Sequence, residues 1–186
     1  MKHRGTKSTL GRLPRVTSIT DYFFKRMMAP PHVPSFPFTV SDPEPTSPET
    51  EVKARVFAWC SAWSSIEGKF QRNRLDEIAS GGTIRMTTDF GEVTCFSVSL
   101  DAYAAFWAPF LTETFSEWFL IVDSPLQVIV GDRYATACFD AQLQGIMHDG
   151  DRKSHRQTMQ QTYTKSGGAW RLAQEQTKIA PGSSYL

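Results

Sequence analysis

Apolar residues recur at helical spacing where the first long element begins: Val52, Val56, Trp59, Cys60, Trp63 and Ile66 fall on one face of a helix. Its start is marked by Ser47 as N-cap, Pro48 at the first position, and Glu49 and Glu51 in the first turn, where exposed N–H groups favour acids. A second helix is predicted over 70–80; it buries Leu75, Ile78 and Ala79, and Gly81-Gly82 ends it. Residues 83–89 read as a short strand. A third helix over 101–115 is rich in aromatics (Tyr103, Phe106, Trp107, Phe110), with Pro109 expected to kink it. From Trp118 onward the period changes to that of strands, over 118–122 and 126–130, with Ser124-Pro125 as the break between them. Long strands follow over 134–147, 155–165 and 170–178, joined by turns at Asp149-Gly150 and Gly167-Gly168. Helices first and a meander afterwards predict an α+β domain with its helices on one face of a curved antiparallel sheet.

Composition divides the 186 residues further. Seven of the eleven prolines lie between Pro30 and Pro48, so 29–46 is expected to be an extended linker that sustains neither helix nor inner strand. Ahead of it, residues 1–28 carry seven bases against Asp21 alone, a charge of +6 in a chain whose net charge is +1. The expected organisation is a basic, disordered arm (1–28), the Pro-rich linker (29–46), one folded domain (47–181) and a short tail (182–186). No apolar run approaches the roughly 18 residues that cross a bilayer, so no membrane span is expected. Cys60, Cys95 and Cys138 lack the paired spacing of a zinc site, so no metal and no disulfide framework are expected. The first fourteen residues have no secretory apolar core, but their basic, acid-poor character fits a mitochondrial transit peptide. Otherwise the expected compartment is cytoplasmic or nuclear. The acidic body offers no basic stripe, so direct sequence-specific contact with nucleic acid is not expected.

Three local patterns carry a resemblance. Arg156-Gln157-Thr158, followed by Gly167-Gly168-Ala169-Trp170-Arg171-Leu172, resembles the closing hairpin of the nuclear transport factor 2-like superfamily. Leu75-Asp76-Glu77-Ile78-Ala79 resembles its second helix, and Gly131-Asp132-Arg133-Tyr134-Ala135 its "G-D-x-x-A" strand entry. The SnoaL-like and calcium/calmodulin-dependent kinase II association-type members are nearest in pattern. The resemblance spans about residues 49–181 and implies a cone-like, cystatin-like fold. Where many relatives carry histidines near the end of the last strand, Gln174 and Gln176 stand instead.

Strand register locates candidate chemistry. A two-residue turn at Asp149-Gly150 makes Leu143 face Arg156, Ala141 face Thr158 and Phe139 face Gln160. A turn at Gly167-Gly168 then makes Gln160 face Glu175 and Thr158 face Thr177. On this register Glu175, Gln160 and Arg156 lie on the inner side of the cone as the candidate catalytic group. Trp59, Trp63, Tyr103, Trp107, Phe139, Thr158 and Thr177 are the expected lining. A carboxylate among apolar groups has a raised pKa and serves as general acid or base; alternatively, Glu175 pairs with Arg156 and simply holds the sheet. The outer face is expected to carry Gln142, Gln144, Gln157 and Gln161, with His155 and Asp140, and to be interspersed with Tyr134, Met159, Tyr163 and Leu172, a mixture suited to a homodimer through the sheet. The leading functional expectation is a SnoaL-like pocket that binds a small hydrophobic ligand, or performs cofactor-free acid–base isomerisation or cyclisation. The alternative is a non-catalytic dimerisation or adaptor domain whose arm docks a partner.

That partner has a candidate. Residues 16–26 include Ile19-Thr20-Asp21-Tyr22-Phe23, which resembles the motif that binds the eukaryotic DNA sliding clamp, proliferating cell nuclear antigen. Val16 stands where the motif has Gln. A peptide spanning Leu13–Met28 is predicted to bind the clamp at micromolar affinity, on the order of −8 kcal/mol. The missing Gln costs roughly one hydrogen bond, about 1 kcal/mol, far less than burial of two aromatic rings contributes. Calorimetry should show binding lost with Tyr22→Ala and Phe23→Ala together, and strengthened by Val16→Gln.

Overall fold

The structure is a computed structural model that describes residues 46–81 and 84–180. What the sequence predicts for the arm, for the linker up to residue 45 and for the tail lies outside the described residues. Helix α1 spans Pro48–Trp63, and Ser47 Oγ caps it by accepting the Thr50 N–H at 3.2 Å. Of its predicted stripe, Val52, Val56, Trp59, Cys60 and Trp63 are buried, whereas Ile66 lies beyond the end of the helix and is 40% exposed. Helix α2 is only Asn73–Asp76. The segment after it leaves the helical path because it pairs with the sheet instead: Leu172 donates its N–H to Ile78 O at 2.9 Å, and Ser80 donates to Leu172 O at 2.9 Å.

The chain continues through β1 (Arg85–Asp89), β2 (Thr94–Ser97) and helix α3 (Leu100–Thr114), which Ser99 caps. Strands β3 (Phe115–Val122), β4 (Gln127–Val130), β5 (Tyr134–Met147), β6 (Arg152–Ser166) and β7 (Ala169–Ile179) complete it. The sheet order is β2-β1-β7-β6-β5-β3, and β4 also pairs with β5. The expectation of an antiparallel sheet therefore needs one correction, since β1 runs parallel to β7. β3 and β4 share one edge of β5. Between them the chain is pinned where Asp123 donates to Asp140 O at 2.8 Å and Ser124 Oγ accepts from Asp140 N at 2.7 Å.

The first long hairpin departs from the predicted register. Its loop holds three residues, His148, Asp149 and Gly150: Met147 N–H donates to Asp151 O at 2.7 Å and Gly150 N–H to Met147 O at 3.0 Å. Gly150 sits at φ +94°, the left-handed residue that closes a three-residue loop. One added residue turns every side chain of β6 to the other face. Ala141 pairs with Gln157, Phe139 with Met159 and Leu143 with His155. His155, Met159, Gln161 and Tyr163 are therefore buried, whereas Arg156, Thr158 and Gln160 lie on the outer face. In the second hairpin Ser166 pairs with Ala169 as predicted, but a shift between Thr162 and Tyr163 leaves Ala173 as an extra residue on β7. Beyond it Gln161, not Gln160, pairs with Glu175. The two shifts cancel at Glu175, which faces inward as expected but beside a different neighbour.

The motive for a sheet-mediated homodimer changes accordingly. Met159, Tyr163 and Leu172, expected on the outer face, are at most 2% exposed; Tyr134 alone of the four is exposed.

The two helical elements α1 and α3 pack on the inner face, α1 against β3, β4, β5 and β7. A buried polar clasp ties α1 to β3. Trp118 Nε1 donates to Trp63 O at 2.8 Å, and Ser65 Oγ both accepts from Trp118 N at 2.9 Å and donates to Trp118 O at 3.0 Å. Beside this clasp the buried Phe115 ring lies over Gly145, so close that a Cβ there would sit 2.2 Å from it. A ring this enclosed has no room to withdraw. Gly145→Ala is predicted to destabilise the domain by about 1–3 kcal/mol through overpacking, read as a lower urea midpoint at unchanged slope. Phe115→Leu in the same chain should recover part of the loss.

Candidate active site

Glu175 lies midway along β7, between β1 on one side and β6 on the other, and is 1% exposed. Each carboxylate oxygen has its own partners. Oε2 accepts from Gln161 Nε2 at 2.7 Å. Oε1 accepts from Tyr103 Oη at 3.3 Å and from Thr177 Oγ1 at 3.4 Å, both long bonds. The Trp59 indole N–H lies near enough to favour the charged carboxylate, yet outside hydrogen-bond geometry. Behind Gln161, Tyr163 Oη donates to Gln161 Oε1 at 2.6 Å, which fixes the amide so that its N–H₂ points at Glu175.

The balance of these effects sets the protonation state. Burial opposes the charge and is the largest influence; the hydrogen bonds from Gln161, Tyr103 and Thr177, with the Trp59 dipole, favour it and lose, so the carboxyl is pushed up to about 7. The neighbouring Tyr103, Tyr163 and Cys60 are driven up by burial first and by the charge of Glu175 second, so all three stay neutral. Glu175 enters no ion pair among the described residues.

Above Glu175 is a cavity of about 50 Å³. Trp59, Trp63, Tyr103, Trp107 and Leu111 line it from the helices; Leu120, Leu143, Gln157, Met159, Glu175 and Thr177 line it from the sheet. Since Tyr103 and Thr177 line the cavity and Gln161 does not, Oε1 is the oxygen on the cavity side. Trp107, Leu120 and Gln157 are only half-buried, which puts the mouth at their end. The helical aromatics form a chain of edge-on contacts, with ring centroids 5.9 Å apart for Trp59–Trp63, 5.4 Å for Trp63–Tyr103 and 6.4 Å for Tyr103–Trp107.

No family model matches this chain, and no curated protein matches it. Solved structures do. A nuclear transport factor 2-like superfamily protein from Salmonella enterica is similar with TM-score 0.56 at 16% identity, over 73% of this chain and 94% of that one. A proposed calcium/calmodulin-dependent protein kinase II association domain from Xanthomonas campestris gives TM-score 0.56 at 14% identity, covering 72% of this chain and 88% of its own. A proposed dehydratase of the same fold group from Streptomyces avermitilis gives 0.55 at 11%, over 71% and 95%. This chain has the nuclear transport factor 2-like fold.

Within that nuclear transport factor 2-like cone, the structure brings Glu175, Trp59, Trp63, Tyr103, Trp107 and Thr177 of the expected residues together at the cavity. Phe139 is buried in the core but does not line it. The register shift removes the other three. Gln160 pairs with Gln176 on the outer face, Thr158 donates to Asp140 Oδ1 at 2.8 Å, and Arg156 pairs with Asp123 Oδ2 at 2.8 Å. An Arg156–Glu175 pair is thereby ruled out. His155, expected on the polar face, is buried. Gln157, Met159 and Gln161 take the vacated inner positions, and the sequence did contain their signal: Met159 and Tyr163 alternate with Gln157 and Gln161, whereas 156, 158, 160, 162 and 164 are all polar. Ile19, Thr20, Asp21, Tyr22 and Phe23 lie outside the described residues.

A carboxyl raised from 4.5 to about 7 keeps its proton in the folded chain over an interval where the unfolded chain has released it. The folded state then binds more protons, so this contribution to stability is fully present below about pH 4.5 and lost as pH rises through about 7, roughly 3 kcal/mol in all. Urea unfolding of the wild type and Glu175→Gln across that interval is expected to show the wild type losing stability relative to the variant as pH rises.

Proposed function

We propose that the cone is a small-molecule site in which Glu175 transfers a proton on a bound, largely apolar substrate without a cofactor, in an isomerisation or cyclisation. The observation that carries this reading is a dehydrated carboxyl at the floor of an aromatic cavity with no cationic partner among the described residues. At neutral pH its acid and base forms are both populated, which suits a group that removes a proton from one atom and returns it to another. Its Oε1 side faces the cavity, while the Tyr163–Gln161 chain holds Oε2 and keeps the group aimed. Tyr103 and Thr177, both neutral hydroxyls beside Oε1, are placed to hydrogen-bond the Glu175 carboxyl in either protonation state or a substrate oxygen. The proposed dehydratase among the fold neighbours supports acid–base chemistry as a use of this architecture.

The second reading, a non-catalytic dimerisation or adaptor domain with the arm docking a partner such as the sliding clamp, is favoured by one observation. The cavity of about 50 Å³ falls well below the roughly 300–1,000 Å³ of pockets that hold drug-sized ligands. A test separates the two. Small cyclic ketones are incubated with the full chain in heavy water and their carbon-bound protons followed by NMR. The acid–base reading expects exchange with an inflection near pH 7, and a loss of 10²-fold or more in Glu175→Gln. Glu175→Gln without effect on exchange, combined with a dimer in light scattering, supports the scaffold.

A further inference from the structure

The walls of the cavity also define the charge of what enters it. Four of its lining residues are aromatic, and the planes of successive rings meet at 73° for Trp59–Trp63, 88° for Trp63–Tyr103 and 70° for Tyr103–Trp107. Rings set at steep angles enclose a space from several sides instead of stacking into a slab. Their faces carry the negative part of the aromatic quadrupole. The other polar side chains in the lining besides Glu175 are uncharged, among them Gln157, Thr177 and the Tyr103 hydroxyl, and no Lys, Arg or His is among the described residues that line the cavity. Among the described residues Glu175 itself is met only by neutral donors.

We propose that this cavity receives the cationic head of a small organic ammonium compound, seated among Trp59, Trp63, Tyr103 and Trp107 with its charge toward Glu175. The proposal rests on the acid–base reading of the same site and names its ligand class. A purely apolar head would satisfy the rings but leave the carboxylate without counter-charge. An anionic head would meet a carboxylate and no cation. An alkylated ammonium satisfies both, since its methyl groups pack on ring faces while its charge interacts with them and with the carboxylate. The volume of about 50 Å³ admits a head of a few heavy atoms, on the measure by which one water needs roughly 10–15 Å³. The remainder of the molecule leaves through the mouth at Trp107, Leu120 and Gln157.

The titratable groups that face Glu175 from the packed elements are Cys60 on α1, Tyr103 on α3 and Tyr163 on β6, all held neutral by burial. Arg55, on the same helix as Cys60, acts on Tyr163. His155 lies two residues from Gln157 along β6, and its pKa is lowered by burial and by Lys153. Glu175 is therefore the group through which pH acts on the bound charge.

Tetramethylammonium is the probe, because its charge does not titrate, and tert-butanol is its neutral counterpart of similar size. Binding to the full chain is followed by tryptophan fluorescence at constant ionic strength. Tetramethylammonium is expected to saturate, to bind about tenfold more tightly near pH 8 than near pH 6, and to exceed tert-butanol by about tenfold at the higher pH. Glu175→Gln should abolish the pH dependence. Trp107→Leu, an apolar change at the half-buried mouth, should weaken binding several-fold while keeping it in a chain shown to be folded; His155→Gln should leave it unchanged. Equal or tighter binding of tert-butanol, or no saturable binding of the cation by a chain shown to be folded by circular dichroism, overturns the proposal. Ketone exchange by Glu175 without cation binding overturns this proposal alone; loss of both overturns the acid–base reading as well.

Discussion

Desolvation of one carboxyl group is the constraint around which the interior is arranged. Among the described residues Glu175 is the most deeply buried acid, 1% exposed, with a neighbouring strand on each side. A charge cannot be left there without compensation. The surrounding sequence supplies donors rather than a cation: an amide from β6, a phenol from α3 and a hydroxyl two residues along β7. They reduce the cost without removing it, which is why the proton is held to about pH 7 instead of 4.5. An arginine fixed in the same place would instead hold the group ionised whether or not anything else occupied the cavity.

The donors are in place because of two one-residue irregularities. The three-residue loop closed by Gly150 brings Gln161 and Tyr163 inward. The extra residue Ala173 brings Glu175 inward after Trp170 and Leu172 have occupied the same face. Remove either and the carboxyl and the amide fall on opposite sides of the sheet. Bulges beside functional groups are a common way to re-aim a side chain within an otherwise regular strand.

Much of the fold was legible from periodicity. The stripe from Val52 to Trp63, the Ser47 and Gly167-Gly168 signals and the long alternating strands all became what their patterns predicted. So did the helix aromatics at the cavity, since helical spacing needs no knowledge of register. What failed was the parity of β6. His-Asp-Gly and Asp-Gly look alike in sequence, yet a two-residue and a three-residue loop differ by one position, and in a strand one position is a whole face. Arg156, Thr158 and Gln160 were misplaced together for that single reason, while Glu175 was placed correctly only because a second shift offset the first. The end of the second helix was missed for another cause: 78–80 satisfies its backbone through Leu172, a partner about ninety residues away that no local pattern reveals.

The parallel pairing of β1 with β7 bears on how the chain acquires this site. The β5–β6–β7 meander joins neighbours through short loops and closes at small entropic cost, whereas Met86 meets Glu175 across eighty-nine residues. Until β1 and α1 dock, the flank of the carboxyl they will cover remains open to water. The local hairpins can therefore assemble with Glu175 still hydrated, and its dehydration belongs to the late, long-range step of folding.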